Sequence, residues 1–189
     1  MKNSRISDIK FFAENITPLS KTSEDSTKLI PESMTGSQVM VINFDAVKEA
    51  YFKSFGVAMF TNSVDALVLQ NNGRLAFIEF KNGKVENEKR NIRLKIKSSL
   101  LIFCDIMNQS VDFTRENLDF YLIYNHENDS EKEKISNIII NKAKKEIIRF
   151  GLSRYNKVFF NNVHTYSDIQ FRTVIKNIVP ITIDTTIKI

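Results

Sequence analysis

Two apolar stretches separated by a short polar turn, SVDALVLQNNGRLAFIEFKNG at residues 63–83, limit the possible folds of this chain more than any other feature. Each stretch is short and rich in residues that favour strands. Asn71, Asn72 and Gly73 lie between them, and these residue types tolerate the positive φ angles of tight turns. The sequence therefore predicts a β-hairpin.

The second strand of this hairpin places an acid and a base on an apolar face. Side chains alternate along a strand, so Glu79 and Lys81 are predicted to share a face with Leu75 and Phe77. On the first strand, Asp65 shares a face with Leu67 and Leu69, and the tight turn keeps this strand beside the one that carries Glu79 and Lys81. A charge buried beside apolar surface needs a partner or a metal ion. The alternative is that Glu79 and Lys81 form an ion pair on a solvated sheet surface.

The rest of the chain alternates between strand-like and helix-like patterns. Strands are predicted for VMVINF at 39–44, LDFYLIY at 118–124 and one segment within 155–178; helices are predicted at 6–16, 45–56, 91–107 and 130–151, with a short helix before residue 178. This order predicts an α/β fold in which helices flank a mixed central β-sheet.

The composition of residues 17–38 differs from that of the remaining chain. This stretch is rich in Ser, Thr, Pro and Gly and shows no sustained apolar period. We therefore predict an N-terminal helix and flexible connector at residues 1–38, followed by a single α/β domain at residues 39–189.

Charge and cysteine content limit the location and the partners of the chain. The 27 Lys and Arg residues outnumber 22 Asp and Glu, giving a net charge of +5, which is compatible with a nucleic-acid partner. The single cysteine, Cys104, excludes an internal disulfide. No apolar run is long enough to span a bilayer and no signal peptide is evident, so a cytoplasmic protein without a membrane partner is expected.

The acids of the hairpin suggest a metal site. Asp65 and Glu79 supply the hard oxygen ligands that Mg²⁺ or Mn²⁺ prefers. The ammonium group of Lys81 is suited to orienting or deprotonating a water molecule and to neutralising charge that develops on a phosphate.

Asp65, then thirteen residues, then Glu79-Phe80-Lys81 resembles the motif of the PD-(D/E)xK nuclease superfamily. The resemblance implies a restriction-endonuclease-like core and a metal-dependent endonuclease, with Mg²⁺ or Mn²⁺ as cofactor and DNA favoured over RNA as substrate. It implies that Asp65 and Glu79 are metal ligands, that the Phe80 carbonyl completes the metal shell, and that Lys81 is the catalytic lysine. Nucleases of this size often form homodimers.

The same resemblance suggests a further acid from the helix before the hairpin. Glu49 is the best match, with Asp45 one turn earlier as a substitute. Val64 stands where the signature proline of the superfamily would be. Because of this difference, and because no target-recognition domain is evident, a catalytically inactive nuclease-like fold that serves as a protein-binding, immunity or partner subunit is the alternative.

A basic segment follows the hairpin. Its cationic residues are Lys81, Lys84, Lys89, Arg90, Arg93, Lys95 and Lys97. From this set we predict that Lys84, Arg90, Arg93 and Lys97 bind the nucleic-acid backbone, with Arg93 and Lys97 on one helix face. The alternative is an ordinary solvated helix face.

Overall fold

A computed structural model describes residues 6–25, 32–58, 61–128 and 147–178 of the chain. Within these residues a six-stranded mixed sheet is flanked by helices, so the predicted α/β class is confirmed. The amphipathic helix predicted at 130–151 falls largely outside the described residues.

The described elements, in chain order, are eight strands and six α-helices. The strands are β1 (Ile16–Pro18), β2 (Glu24–Asp25), β3 (Glu32–Ser33), β4 (Met40–Asn43), β5 (Ala66–Leu69), β6 (Leu75–Lys81), β7 (Leu118–Tyr124) and β8 (Val163–Ser167). The helices are α1 (Lys10–Ala13), α2 (Leu19–Thr22), α3 (Phe44–Ser54), α4 (Val85–Met107), α5 (Val111–Asn117) and α6 (Asp168–Ile178). Short 3₁₀ segments lie at Ile6–Asp8, His126–Asn128 and Leu152–Tyr155.

The large sheet has the strand order β1-β4-β5-β6-β7-β8. Neighbouring strands from β1 to β6 are antiparallel, whereas β6, β7 and β8 are parallel. The central position of β6 explains its sequence, because a strand covered on both faces needs apolar side chains on both.

The predicted hairpin is present as β5 and β6. Leu67 pairs with Phe77, and the peptide N–H of Gln70 donates to the Arg74 carbonyl at 2.7 Å, closing the turn. Gly73 has a φ angle of 80°, which a glycine adopts without the strain that a side chain would cause.

The sheet separates two hydrophobic cores, as the predicted alternation requires. Leu75 and Phe77 of β6 pack on the side of α3 and α4, whereas Ile78 and Phe80 pack on the side of α6. Aromatic contacts fill both layers; Phe77 meets Phe103 of α4 with ring centroids 5.6 Å apart. Glu79 therefore points into the layer formed by α3 and α4.

Helices α3 and α4 carry polar side chains to the end of this layer. The side chain of Asn43 caps α3 by accepting from the Ala46 N–H at 3.1 Å. Helix α4 packs Ile92, Ile96 and Phe103 against the sheet and ends at Asn108 in the left-handed conformation.

None of the helices in the described ranges combines the length and apolar character needed to cross a membrane.

The described part of the predicted connector contains three short strands. Strand β1 belongs to the large sheet, whereas β2 and β3 pair with each other as a separate two-stranded sheet. Strand β1 pairs with β4, with Thr17 opposite Val41, and Leu19 of α2 is fully buried in the core beside α6. A strand of three residues that ends in Pro18 has no period that sequence could reveal, because its pairing is formed with distant residues. Residues 26–31 of the predicted connector lie outside the described part of the chain.

Candidate active site

The hairpin register brings Asp65 and Glu79 together at one end of the sheet. Ala66 pairs with Ile78 at the end of the ladder, so Asp65, directly before Ala66, and Glu79, directly after Ile78, lie near each other. The Asp65 N–H donates to the Ile78 carbonyl at 3.2 Å. In turn, the Phe80 N–H donates to Asp65 Oδ2 at 2.6 Å, which fixes the orientation of the carboxylate. Backbone hydrogen bonds therefore preorganise one of the two predicted metal ligands.

Lys95 of α4 joins the two carboxylates. Its Nζ lies 3.0 Å from Asp65 Oδ1, 2.8 Å from Glu79 Oε1 and 3.0 Å from Glu79 Oε2. The Lys95 side chain is 13% exposed, as is that of Asp65, and Glu79 is fully buried. Lys95 belongs to the basic segment, and the sequence pattern does not predict it as a site residue. Its position beside Ile92 and Ile96 on the buried side of a helix is the signal that could have identified it.

Lys81 approaches the same cluster from β6. Its Nζ is 3.2 Å from Glu79 Oε1 and 3.7 Å from Glu88 Oε2 of α4. Neither Lys81 nor Lys95 is aligned to form a regular hydrogen bond with Glu79 Oε1, so these are charge contacts with a buried oxygen. The Glu79–Lys81 ion pair of the alternative is therefore present, but Glu79 is wholly buried, so the pair does not lie on a solvated sheet surface.

The cluster opens into a cleft of about 800 Å³. Its lining residues are Lys21, Thr22, Ser23, Glu24, Met34, Asn43, Asp45, Asn62, Asp65, Phe80, Lys81, Asn82, Gly83, Glu88, Asn91 and Lys95. Strands β5 and β6, helices α3 and α4, and the N-terminal segment around α2 all contribute. The site is thus accessible to a ligand from one side.

The helix acid at this cleft is Asp45 and not Glu49. Asp45 lies in the first turn of α3, where its Oδ1 accepts from Ser63 Oγ at 2.6 Å and contacts Lys48 Nζ at 2.9 Å. Glu49 is exposed and is not among the residues that line the cleft. The reason is the helical rise, because four residues carry Glu49 about 6 Å further along the axis, away from the strand ends.

The loop before Asp65 is tied to α4 by two serines. The Val64 N–H donates to the buried Ser99 Oγ at 2.9 Å, and Ser98 Oγ donates to the Asn62 carbonyl. A proline at position 64 would have no N–H for this bond. The departure from the signature proline therefore has a local structural reason.

The four predicted nucleic-acid-binding residues do not line the cleft. Lys84, Arg90 and Lys97 are exposed, and Arg93 is half-buried. The side of α4 that faces the cleft carries Glu88, Asn91 and Lys95. Two residues span more than half a helical turn, so Arg93 and Lys97 lie nearly opposite Lys95 on the helix. Lys81 and Lys95 are thus the cations beside the two carboxylates.

The buried carboxylates have perturbed proton affinities. Burial, followed by the neighbouring Asp65, raises the pKa of Glu79 to about 8, although Lys95 and Lys81 oppose the shift. Burial also raises the pKa of Asp65, against the lowering effects of Lys95 and the Phe80 N–H. Burial alone would lower the pKa of Lys95, but Asp65 and Glu79 outweigh it and raise that pKa. Lys95 therefore remains an ammonium ion.

We expect protein stability to fall with increasing pH because of Glu79. The folded protein retains this proton where the unfolded chain has lost it, so the contribution of Glu79 to stability is greatest below the ordinary pKa of 4.5 and declines until about pH 8. One proton limits the slope to about 1.4 kcal/mol per pH unit. Urea unfolding across this range should show the decline in wild type, and a smaller one in Glu79→Gln. Equal pH dependence of the two proteins would contradict the assignment.

The donor set fits a hard divalent cation better than zinc. Among the described residues, no group of three His, Cys, Asp or Glu side chains is arranged to hold a metal ion. Mg²⁺ is commonly held by one or two carboxylates together with water, and both Asp65 and Glu79 present oxygens to one point, where Lys95 Nζ now lies. Asp45 and Phe80 line the same cleft, and the Phe80 N–H and carbonyl lie on the β5 side of the strand.

Comparison with known proteins adds no assignment. No family model, curated protein or solved structure matches the chain. The chemistry of the site is therefore interpreted from its residues and their geometry.

Proposed function

We propose that this protein is a metal-dependent nuclease of the PD-(D/E)xK type, with a restriction-endonuclease-like core, that hydrolyses phosphodiester bonds. The observation that supports the proposal most strongly is the convergence of Asp65, Glu79 and Lys81 from adjacent strands at the wall of an open cleft. Buried charges arranged in this way are costly for folding, and such groups cluster at functional sites.

Each of the three residues has a distinct role in this proposal. Asp65 and Glu79 would hold Mg²⁺ or Mn²⁺, with the Phe80 carbonyl as a further ligand. The bound ion would supply an activated water and would neutralise charge on the scissile phosphate. Lys81 carries an ammonium group at the same point and stabilises negative charge as it develops on the phosphate oxygens. The Phe80 N–H keeps Asp65 oriented throughout.

The lining of the cleft is polar and carries both signs of charge. Lys21, Lys81 and Lys95 lie among the acids Glu24, Asp45, Asp65 and Glu88, and the amides of Asn62 and Asn91 supply hydrogen-bonding groups. A divalent ion bound by the acids would offset their negative charge and leave the lysines to meet the phosphates of a nucleic acid. Lysines bind phosphates in any sequence, and asparagine amides are suited to base or sugar edges. The preference for DNA, a possible homodimer and a cytoplasmic location stay predictions from the sequence.

The proposal is tested by cleavage assays on plasmid and single-stranded DNA and on RNA. We expect cleavage that requires Mg²⁺ or Mn²⁺ and that falls about a hundredfold in Lys81→Met, because the variant keeps the side-chain volume but loses the charge. Lys53→Met is the matched control, since Lys53 is exposed and does not line the cleft. Wild-type cleavage rates in Lys81→Met would contradict the role of Lys81.

A protein-binding, immunity or partner subunit without catalysis is the second candidate. The observation that favours it is the pairing of Lys95 and Lys81 with Asp65 and Glu79, because these two lysines can compensate the charge of both acids. Stoichiometric capture of one protein partner, together with no cleavage and no Mn²⁺ binding by calorimetry, would support this candidate over the nuclease.

A further inference from the structure

The ammonium group of Lys95 lies at the point where both acidic side chains converge. Three carboxylate oxygens are within 3.0 Å of Lys95 Nζ, namely Asp65 Oδ1, Glu79 Oε1 and Glu79 Oε2. The remaining oxygen of Asp65 is occupied by the Phe80 N–H. The oxygens best placed to bind a cation are thus already bound to one.

Charge balance makes simultaneous occupancy unfavourable. Asp65, Glu79 and the nearby Glu88 carry at most three negative charges, and Lys81 and Lys95 carry two positive charges, so a divalent ion would leave a positive excess. A divalent ion that touched the same oxygens would lie within a few ångströms of the Lys95 ammonium. Repulsion at such distances is large in a poorly solvated site.

We propose that Lys95 is an internal competitor for the metal, a positioning residue that holds Asp65 and Glu79 together until a divalent ion displaces it. This inference rests on the proposed function. In the metal-free protein, Lys95 prevents the repulsion that two adjacent buried carboxylates would otherwise cause.

The structure offers Lys95 a place to move. Its side chain is 13% exposed and lines the cleft, so rotation about its flexible stem carries the ammonium from the carboxylates into the cleft. There it would meet the phosphate groups of the proposed substrate. Metal and substrate binding would then both favour the displaced position.

Titration calorimetry with Mn²⁺ near pH 8 tests the competition. We expect Lys95→Met to bind Mn²⁺ at least about tenfold more tightly than wild type, because the competing charge is gone and the oxygens remain. Lys97→Met, which removes an exposed lysine from the other side of α4, should bind as wild type does. Equal or weaker Mn²⁺ affinity in a folded Lys95→Met protein would overturn the proposal.

Chemical labelling of wild-type protein provides a second test that does not depend on a variant folding. Reductive methylation followed by mass spectrometry reports the accessibility of each lysine amine. We expect Lys95 to be labelled slowly without metal and at least about threefold faster with saturating Mn²⁺, with Lys97 labelled equally in both. A Lys95 labelling rate that Mn²⁺ leaves unchanged or lowers would overturn the proposal.

The outcomes separate this inference from the proposed nuclease. Tighter Mn²⁺ binding by Lys95→Met without nucleic-acid cleavage by wild type would support the competition and reject the nuclease. Metal-dependent cleavage by wild type, together with unchanged Mn²⁺ affinity in Lys95→Met, would support the nuclease and overturn the competition. Absence of Mn²⁺ binding to both proteins would overturn the competition and also remove the metal from the proposed function.

Discussion

Replacing Glu79 with glutamine is expected to reduce cleavage by about a thousandfold, the largest loss of activity that we predict. The substitution keeps the shape of the side chain but removes the negative charge that the proposed metal ion requires. Mn²⁺ affinity should fall together with cleavage, because the same oxygens serve both.

Glu79→Gln should not lower the stability of the protein, although it lowers activity. Glu79 is fully buried, and burial together with Asp65 raises the pKa of its carboxyl group to about 8. A neutral amide avoids the cost of burying this charge, so the free energy of unfolding above about pH 8 should be unchanged or higher. Loss of activity without loss of stability is typical of a residue retained for function.

Glu49→Gln is the matched comparison for this experiment. It removes the same charge from an exposed helix position outside the cleft, so it should retain wild-type cleavage. Cleavage assays and urea unfolding on the same preparations of both variants give the answer. Equal activity of Glu79→Gln and wild type would reject Glu79 as a metal ligand, and a large loss in Glu49→Gln would restore the helix acid that the sequence suggested.

The hairpin and the placement of its charges were predictable from local sequence. A period of two, an Asn-Asn-Gly turn and the offset between Asp65 and Glu79 fix which side chains share a face. Strand β7 was also predictable, because six of its seven residues are apolar or aromatic, with Asp119 as the exception, and such a run is typical of a strand covered on both faces.

Contacts between distant elements were not predictable in this way. Lys95 reaches the carboxylates only because α4 crosses the sheet at one angle, and one sequence does not give that angle. Which acid of α3 reaches the cleft, Asp45 or Glu49, likewise depends on where α3 begins relative to β5. Residues 16–18 join the sheet through pairing with β4, and nothing in three residues indicates that pairing.

Asp119 shows that a buried acid need not belong to a catalytic site. It lies near the start of β7, at the end of the sheet away from Lys81, and is 1% exposed. Its oxygens accept hydrogen bonds from Gln70 Nε2 at 2.7 Å, Arg74 Nε at 3.3 Å, Asn161 Nδ2 at 3.1 Å and the Asn162 N–H at 3.0 Å. These donors come from the hairpin turn and from the segment before β8, so Asp119 holds together three parts of the sheet.

We expect Asp119→Ala to lower the free energy of unfolding by about 3–5 kcal/mol, the largest loss of stability that we predict. The substitution leaves the half-buried Asn161 amide, the Asn162 N–H and the charge of Arg74 without this acceptor, whereas Gln70 Nε2 keeps the Leu75 carbonyl. For a chain of this length, the melting temperature should fall by about 10 °C. Calorimetry and urea unfolding measure both quantities.

Asp112→Ala is the control for this experiment, because Asp112 is an acid at the surface. Its side chain is 80% exposed and pairs with Arg115 within one helical turn, so its loss should cost less than about 1 kcal/mol.

Asp119→Ala should also retain the activity of wild type per folded molecule, unlike Glu79→Gln, because its partners lie at the other end of the sheet. If Asp119→Ala were no less stable than Asp112→Ala, the hydrogen bonds around Asp119 would not hold the sheet together. If it lost activity while still folded, the two ends of the sheet would be coupled, and Asp119 could not be a purely structural acid.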